Sequence, residues 1–463
     1  MSVTKRYHQF FLLLCFITAT LFSQERPFPQ DFKYAYGYMP TTFKTSNLES
    51  WYKSYKQQNN LLIECNGGIR TGCEENGVTK VESMGWAMII AAYMADKSDF
   101  DGLYKFYKDK RQGHGMMAWK TNCNGVVDGG SASDGDLDVA FSLVVATWQW
   151  GDEYRSAAEK EINTVKKLIT NCSGTSVLYG GFGGNSGYGG CNQTDISYYT
   201  PAFFRYFAEF TDDDGWIKLA DDTYTVLDNA ANDNTGLVPN WHTLAGGQSS
   251  MGQFYYGFDA CRVPWRIALD YLWNGNEKAK AWCTKISNWA NKIGPNKIVD
   301  GYNLDGSSTG RYHNMSYVGG FAVAAMCNSQ EVADAFGSEI ASMRFDSYWY
   351  HAFLGTCYML AMTGNMWNSD MTATSSTPRA NIAKPAAAET VRMLSTRNLA
   401  VSGLSRGSTV TLTSLSGQLV QRSANVPGTE AVMNLSSVKN GCYLVSITGG
   451  NGSLLRSEVV SVY

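Results

Sequence analysis

A glutamate with few charged neighbours stands at the start of an apolar stretch in the first third of the chain. Glu82 precedes the apolar run from Met84 to Met94, close to Trp86, and no Lys or Arg clearly pairs with it along the apolar face. A carboxyl held against apolar neighbours tends to stay protonated, because burial disfavours its charged form. A protonated carboxyl can donate a proton, so Glu82 is a candidate general acid.

The same residue also fits a structural role at a helix N-terminus. Thr79 and Glu82 have the spacing of a capping box. In this motif the glutamate side chain accepts the backbone N–H of the threonine, and the threonine side chain accepts that of the glutamate. A carboxyl fully engaged in such a cap could not also protonate a substrate. From this stretch alone, both interpretations stay open.

Two more acidic stretches begin predicted buried helices. Asp134 lies in ASDGDLD at 132–138, and Asp259 lies in FDACRVPWR at 258–266. Capping and the helix dipole would explain any one acid at a helix start. Three acids at matching ends of inner helices would instead converge on one cleft. The aspartate run is not an EF-hand loop, because valines stand where that loop requires glycine and glutamate.

The elements that must position these acids are helical. Helical patterns alternate between segments that are apolar nearly all round and amphipathic segments that carry charges. A helix that is apolar all round is buried, and an amphipathic one covers it. Six such pairs predict an all-α (α/α)6 barrel, with six inner helices inside an outer ring. The twelve predicted helices are 46–58, 80–96, 99–112, 136–150, 153–171, 200–211, 214–231, 259–273, 276–293, 314–328, 330–343 and 347–363.

Long non-helical segments rich in Gly, Asn, Asp, Trp and Tyr precede inner helices. Connections of this length inside a compact domain are usually functional. All of them would emerge at the N-terminal end of the inner helices, where they could build a cleft around the acids. These segments are 113–134, 174–199, 234–258 and 298–313.

The N-terminus has the pattern of a secretory signal peptide, predicted at 1–23. Lys5 and Arg6 give the positive end, residues 10–22 the apolar core, and Ser23 a small residue for cleavage. The apolar run is too short to be a convincing membrane span. We therefore expect a mature protein that is secreted or attached to the cell surface.

The overall composition limits which kinds of partner or ligand the protein is expected to bind. The net charge is −3 and Lys and Arg form no cluster, so nucleic acid is not an expected partner. The 13 Trp and 27 Tyr can supply flat rings on which the apolar faces of sugars pack. The five His are scattered and no Cys-x-x-Cys motif occurs, so we expect no metal and no cofactor.

Cysteine usage fits an oxidising compartment. Of the eleven cysteines, Cys15 belongs to the signal peptide, which leaves an even number in the mature chain. Two pairs of cysteines bracket Gly-rich loops. We therefore expect the disulfides Cys65–Cys73 and Cys172–Cys191.

The composition changes after Trp367. Residues 369–390 are rich in Thr, Ser, Ala and Pro and are predicted to be a linker. Residues 391–463 show alternating runs separated by turn residues, which predict a small all-β sandwich. This part has no Trp and no Phe, so we do not expect it to bind sugar. Through a strand–turn repeat ending in NGCYLV at 440–445, it resembles the C-terminal sorting domains of the type IX secretion route in Bacteroidetes-like bacteria.

Four motifs of the helical part, placed at 24–368, resemble glycoside hydrolase family 8. Members of this family are inverting, endo-acting enzymes with an (α/α)6 barrel. The order and spacing of the motifs agree with the family, and the resemblance covers residues 35 to 367. The motifs are ESMGW at 82–86, ASDGD at 132–136, DACRVPWR at 259–266, and VDGY at 299–302 with HN at 313–314.

The resemblance implies a role for each acid. Glu82 would be the general acid that protonates the glycosidic oxygen, and Asp259 the general base that activates water on the opposite face. Asp134 would hold the sugar at the cleavage subsite and steady its distortion. An inverting pair lies roughly 6.5–9.5 Å apart, with the acid raised in pKa and the base ionised. Arg262, one turn after Asp259, is placed to keep an aspartate charged and belongs to the predicted substrate-binding residues.

The resemblance also implies aromatic residues that contact the sugar. Trp119 matches a stacking position, and Tyr198 and Tyr350 match positions that line the cleft, although a single ring is more often part of a core. The chain departs from the family at two points. Phe258 stands where a tyrosine often precedes the base, and the 180–190 loop has Phe182 instead of a clear tryptophan.

These features predict a secreted endo-β-1,4-glucanase acting on cellulose or mixed-linkage β-glucan of plant cell walls. An endo-β-1,4-xylanase of the same family is the alternative, because one ring substituent separates the two substrates. A non-catalytic carbohydrate-binding or adhesion protein is an alternative of another class, but such a protein would be expected to have lost Glu82 or Asp259. We expect a monomer whose C-terminal domain contacts the secretion or cell-surface machinery.

Overall fold

The structure is a computed structural model that describes residues 26–73 and 77–371, together with 390–395, 397–402, 404, 408–414, 418–423, 430–449 and 454–462. The chain divides into two compact units, Met1–Pro378 and Arg379–Tyr463. The predicted signal peptide and most of the predicted linker lie outside the described residues. Among the residues described, no helix is both long and apolar enough to cross a bilayer.

Within the described part of the first unit there are twelve α-helices, which confirms the number and order of the predicted helices. The predicted helix 153–171 is shorter in the structure, because residues 169–172 leave the helix and pair with the next strand. The helices are α1 (Thr45–Lys56), α2 (Val81–Tyr93), α3 (Lys97–Asp109), α4 (Ser133–Trp150), α5 (Arg155–Val165), α6 (Pro201–Thr211), α7 (Gly215–Ala230), α8 (Val263–Asn274), α9 (Glu277–Ile293), α10 (Met315–Ala325), α11 (Gln330–Ser342) and α12 (Trp349–Met362).

The helices fall into two sets that differ in burial. Helices α2, α4, α6, α8, α10 and α12 are buried along most of their length, whereas the odd-numbered helices bury one face. Each even-numbered helix contacts the next one, and α12 contacts α2, so these contacts close a circuit. Each odd-numbered helix packs against the even-numbered helix before it, and α1 packs against α12. The periodicity of apolar residues separates the two sets, because only a buried helix can be apolar all round.

Two glycines let α2 and α4 approach closely at the ends that carry the acids. A Cβ atom on Gly135 would lie 2.4 Å from the carbonyl carbon of Val81. A Cβ atom on Gly85 would lie 2.6 Å from the Cβ of Asp138. A larger residue at either position would push the helices apart, so the two glycines keep the first turns of α2 and α4 side by side.

The long connections between helices contain short antiparallel strands. The β1–β2 hairpin follows α1, and a three-stranded sheet in the order β3–β4–β5 leads directly into α2. A second three-stranded sheet, β6–β7–β8, precedes α6. The strands are β1 (Leu62–Cys65), β2 (Gly68–Thr71), β3 (Thr79–Lys80), β4 (Lys120–Asn122), β5 (Gly125–Asp128), β6 (Ile169–Cys172), β7 (Thr175–Gly183) and β8 (Ser186–Gly189).

One predicted disulfide is confirmed and the other is wrong. Cys172–Cys191 forms as expected. Instead of the predicted Cys65–Cys73, the structure joins Cys65 to Cys123 and leaves Cys73 as a buried thiol. The true partner is distant in sequence because β4 ends beside the β1–β2 hairpin, where Asn66 donates a hydrogen bond to the Cys123 carbonyl at 3.1 Å.

The described part of the C-terminal region consists of strands, as predicted. Its three-stranded sheet has the order β13–β10–β9, and its four-stranded sheet has the order β12–β11–β14–β15. Side chains from both sheets, among them Leu399 and Val445, form one hydrophobic cluster. The strands are β9 (Thr390–Ser395), β10 (Asn398–Ser402), β11 (Thr409–Ser414), β12 (Leu419–Ser423), β13 (Glu430–Asn434), β14 (Gly441–Thr448) and β15 (Leu454–Val462).

Candidate active site

The guanidinium group of Arg262 lies between the three predicted acids. Its Nη1 is 2.6 Å from Asp134 Oδ2 and 3.5 Å from Glu82 Oε2, and its Nη2 is 3.0 Å from Asp259 Oδ1. Arg262 is fully buried, whereas the side chains of Glu82 and Asp259 are 21% and 28% exposed. The fold therefore brings three acids that are distant in sequence to one cation. Across the described chain, no group of three or more His, Cys, Asp or Glu side chains could hold a metal ion.

The starts of three helical segments supply these acids. Glu82 lies in the first turn of α2 and Asp134 in the first turn of α4. Asp259 stands directly before a 3₁₀ turn, Ala260–Arg262, that leads into α8. All three segments begin at the same end of the buried helices, as the sequence predicted.

Glu82 does not form the capping box that the sequence allowed. Lys80 is the N-cap residue of α2, and its side chain makes no capping hydrogen bond. The Thr79 hydroxyl donates instead to the Thr71 carbonyl. The carboxyl of Glu82 is therefore free of that cap and meets Arg262.

The surroundings of Glu82 favour its protonated form. Burial, together with the nearby charge of Asp134, raises the pKa of Glu82 to about 7, although Arg262 and Lys80 oppose the rise. Burial also raises the pKa of Asp259, and Arg262 is the main group that opposes this. The site thus contains a carboxyl that is partly protonated near neutral pH and a second carboxyl held directly by a cation.

Asp134 and Asp136, both in the acidic run at the start of α4, have different roles. Asp134 is almost fully buried, and its Oδ1 has no hydrogen-bond partner among the described residues. Asp136 accepts hydrogen bonds from the Tyr107 hydroxyl at 2.7 Å and the Met117 N–H at 3.1 Å. Burial raises the pKa of Asp136 to about 8. Asp136 therefore fixes the segment that follows α3, while Asp134 belongs to the acid cluster.

A second ion pair lies one helical turn further along and joins α4 to α8. Arg266 donates to both carboxylate oxygens of Asp138, at 2.8 and 2.7 Å, and also to the Thr200 hydroxyl at 2.7 Å. Both members of this pair are buried. We refer to Arg262–Asp134 as the upper pair and to Arg266–Asp138 as the lower pair.

Two of the predicted sugar-contacting residues lie beside the cluster. The ring of Tyr198 is 5.7 Å from the Arg262 guanidinium carbon. The hydroxyl of Tyr350 donates to the Phe258 carbonyl, which directly precedes Asp259. Tyr198 thus supports the cation, and Tyr350 holds the backbone of the segment that carries Asp259.

The other predicted aromatic positions lie around this centre. Trp119 is partly buried, and its carbonyl accepts the N–H of Val81, next to Glu82. Phe258 is 42% exposed and packs edge-on against Tyr350 at 5.5 Å. Phe182 packs against His114 and Tyr179.

A fourth acid was missed by reasoning from the sequence. Asp195 is fully buried, with Oδ1 accepting the Ser197 N–H at 2.8 Å and Oδ2 lying 4.0 Å from Arg262 Nη2. Burial and the charge of Asp259 raise the pKa of Asp195. The available signal was its place in the segment DISY at 195–198, just before the buried helix α6.

A pair of rings beside Tyr198 was also missed. Trp241 packs edge-on against Tyr198 at 5.9 Å, and Tyr188 stacks on Trp241 at 6.4 Å. Tyr188 is 39% exposed. Tyr188 therefore extends the site with exposed ring surface, and Trp241, which is only 4% exposed, supports that ring.

Comparison with known proteins identifies this arrangement. The sequence model of glycosyl hydrolases family 8 matches residues 27–368. The chain belongs to this family. Endoglucanase 2 of Ruminiclostridium josui is 37% identical over 65% of this chain and 67% of that protein. Endoglucanase C of Ruminiclostridium cellulolyticum is 34% identical over 74% of this chain and 77% of that protein.

The family 8 hydrolase also resembles a solved structure. The β-1,3-1,4-glucanase from Paenibacillus sp. X4 aligns with a TM-score of 0.67 and 28% identity, over 74% of this chain and 99% of that one. At the other end of the chain, residues 395–461 match the model of the secretion system C-terminal sorting domain. The chain is therefore a glycoside hydrolase that is exported, to be secreted or held at the cell surface.

Proposed function

We propose that this family 8 hydrolase is an inverting endo-β-1,4-glucanase. One observation carries the chemistry: a single buried guanidinium group contacts Glu82 through one nitrogen and Asp259 through the other. Inverting hydrolysis needs a general acid and a general base that flank one glycosidic bond. Glu82 and Asp259, held by Arg262, are the two groups of this kind.

In this mechanism Glu82 and Asp259 transfer protons on opposite faces of the sugar. Glu82, with a pKa near 7, donates its proton to the glycosidic oxygen as the bond to the anomeric carbon breaks. Asp259 accepts a proton from a water molecule, whose oxygen attacks the anomeric carbon from the other side. One displacement therefore inverts the anomeric configuration.

The contacts with Arg262 limit how far apart the two carboxyls can lie. Their oxygens lie 3.5 and 3.0 Å from two nitrogens of one guanidinium group. These contacts and the width of that group set an upper limit on the separation, which is compatible with the roughly 6.5–9.5 Å of inverting enzymes. A water molecule can then stand between Asp259 and the sugar.

We assign the remaining residues to binding of the sugar. Asp134 Oδ2 is held by Arg262, and its partnerless Oδ1 can accept a sugar hydroxyl, which would hold the distorted ring. Trp119 supplies ring surface for the sugar faces, and the largely buried Tyr198 lines the site beside Arg262. Tyr350 acts through the Phe258 carbonyl, and so holds the backbone before the base.

We propose cellulose or mixed-linkage β-glucan as the substrate. The relatives at 34–37% identity are named endoglucanases, and the similar solved structure is a β-1,3-1,4-glucanase. The exposed ring of Tyr188, which stacks on the buried Trp241, suits a flat face of β-linked glucose. A polysaccharide of the plant cell wall fits this substrate class.

We also propose an architecture for the whole chain. The closed circuit of buried helices supports an (α/α)6 barrel at 24–368, and the shared cluster of two sheets supports a β-sandwich at 391–463. The signal peptide at 1–23 and the linker at 369–390 complete this division. We propose that the enzyme acts as a monomer.

An activity panel tests the proposed function. Reducing ends should be released from carboxymethyl cellulose and lichenan faster than from xylan or chitosan, and Glu82→Gln should abolish this release. Glu159→Gln, an exposed substitution on α5, is the matched control and should leave the rate unchanged. Faster cleavage of xylan would favour the alternative that the protein is an endo-β-1,4-xylanase. Binding of polysaccharide without cleavage would favour a non-catalytic carbohydrate-binding or adhesion protein. Near wild-type rates for Glu82→Gln would overturn the mechanism.

A further inference from the structure

A buried asparagine brackets the segment that carries Asp259. Asn240 is 3% exposed and lies in the loop between α7 and α8. Its Oδ1 accepts two backbone hydrogen bonds, from Gly257 N–H at 3.0 Å and from Ala260 N–H at 3.0 Å. Its Nδ2 donates to Gln253 Oε1 at 3.2 Å. The two backbone contacts lie on either side of Asp259.

These contacts matter because of where Asp259 stands. Asp259 occupies the N-cap position of the 3₁₀ turn Ala260–Arg262. Its backbone lies in the helical region, at φ −73° and ψ −52°, which does not suit the side-chain cap that an aspartate makes with the second or third N–H of a helix. Here the Asp259 side chain makes no such bond. Its carboxylate instead meets the Arg262 guanidinium.

The free N–H groups of this turn are satisfied from elsewhere. Asn240 takes the N–H of Ala260, the Gly257 carbonyl takes that of Cys261 at 3.0 Å, and the Asp259 carbonyl takes that of Arg262 at 3.2 Å. No N–H among these three is left for the Asp259 carboxylate. The turn is therefore capped without it.

We propose that Asn240 is a positioning residue for the general base. By holding the backbone N–H groups on both sides of Asp259, it fixes the segment from which the Asp259 carboxylate faces the cleft to activate water. This inference rests on the proposed role of Asp259 as the base. It adds a residue outside the acid cluster that decides where the base carboxylate points.

Gly257 also contributes to the contact between Asn240 and the segment that carries Asp259. A Cβ atom at this position would lie 2.6 Å from Asn240 Nδ2. Glycine therefore lets the side-chain amide of Asn240 lie directly against the backbone. Gly257→Ala should displace this amide without changing any acid of the site.

Kinetics of Asn240→Leu and Asn240→Asp test the proposal. Leucine has a similar shape but no acceptor, so the segment that carries Asp259 should lose two anchoring hydrogen bonds, with kcat falling roughly 10²-fold and KM nearly unchanged. Aspartate keeps an acceptor oxygen and should recover most of kcat. Asn232→Leu is the matched control, since Asn232 Oδ1 also accepts two backbone N–H groups, those of Asn234 and Thr235, away from Asp259. It should leave kcat unchanged.

The outcomes separate this inference from the proposed function. If Asp259→Asn is inactive while Asn240→Leu has wild-type kcat, the positioning role is wrong and the base assignment stands. If Asp259→Asn stays active, the base assignment itself fails. Equal losses for Asn240→Leu and Asn240→Asp would also overturn the positioning role. If Asn240→Leu does not fold, Gly257→Ala decides: a lower kcat at unchanged KM supports the role, and unchanged kcat overturns it.

Discussion

Two ion pairs, one turn apart, join α4 to α8 and to the 3₁₀ turn that leads into α8, and the two pairs differ in their surroundings. In the lower pair, Arg266 gives two hydrogen bonds to Asp138 and a third to a neutral hydroxyl, that of Thr200. In the upper pair, Arg262 shares its charge between Asp134, Glu82, Asp259 and the nearby Asp195.

The difference shows how one pattern of residues yields both structure and chemistry. One carboxylate matched to one guanidinium leaves no charge unsatisfied, so the lower pair serves packing. Several carboxyls around one guanidinium cannot all be ionised cheaply in a buried site. Burial raises the pKa of Asp138 in the lower pair as well, but that carboxyl is fully buried, whereas Glu82 beside the upper pair has a pKa of about 7 and is partly exposed, so it can exchange protons with a substrate.

The largest effect should follow from removing the base beside the upper pair. Asp259→Asn should lower kcat by roughly 10²–10⁴-fold, because the amide cannot accept a proton from water. Steady-state release of reducing ends from lichenan measures this, and circular dichroism checks the fold. A kcat within a few-fold of wild type in a folded variant would show that Asp259 is not the base.

Breaking the lower pair should affect stability instead of chemistry. Asp138→Asn leaves Arg266 buried without its counter-charge, which should cost about 3–5 kcal/mol in the free energy of unfolding. Denaturant titration measures the loss, and kcat per folded molecule should stay near wild type. The double variant Asp138→Leu with Arg266→Met is the control and should recover much of the stability. A stable Asp138→Asn protein with low kcat would instead place the lower pair in the chemistry.

Glu82 should make stability depend on pH in a direction set by its raised pKa. Since its pKa is about 7 in the folded chain and about 4.5 unfolded, folding favours its protonated form, and this contribution is lost as pH rises from 4.5 through 7. Glu82→Gln does not titrate, so above pH 7 it should be more stable than wild type by about 3 kcal/mol. At pH 4.5 the two proteins should have equal Tm. A stability difference that does not change with pH would refute the raised pKa.

The smallest of these signatures is a shift of the pH profile when the charge of the upper pair's own acid is removed, separate from any loss of rate or stability that follows from its contacts with the sugar and with Arg262. The charge of Asp134 raises the pKa of both Glu82 and Asp259. Asp134→Asn should therefore move both limbs of the kcat/KM profile to lower pH. Asp136→Asn is the matched control and should leave the limbs in place, since Asp136 is engaged with Tyr107 and Met117. A shift to higher pH for Asp134→Asn would contradict this electrostatic picture.

The helices were predictable because their signal is local. Whether a helix is buried or covers another is encoded in its own apolar periodicity, so the pairing of α4 with α5 could be read from the two segments alone. The three acids were found for the same reason, since each marks the start of a buried helix. Cys172–Cys191 was predictable because the two cysteines flank one Gly-rich segment of the sequence.

What the sequence could not reveal depends on contacts between distant segments. The Cys65–Cys123 bond requires that β4 end beside the β1–β2 hairpin, which no local pattern specifies. Asp195 resembles any aspartate before a helix until the fold places it 4.0 Å from Arg262. Likewise, Asn240 is an ordinary loop residue in sequence, and only the fold shows that it caps the turn after Asp259.

The anomeric configuration of the first product tests the central claim most directly. If Glu82 and Asp259 act on opposite faces of the sugar, one displacement should release the α-anomer from a β-1,4-glucan. Proton NMR at the start of hydrolysis, before mutarotation, should show the α-anomer signal first and the β-anomer later. Initial appearance of the β-anomer would contradict an inverting acid and base held on either side of Arg262.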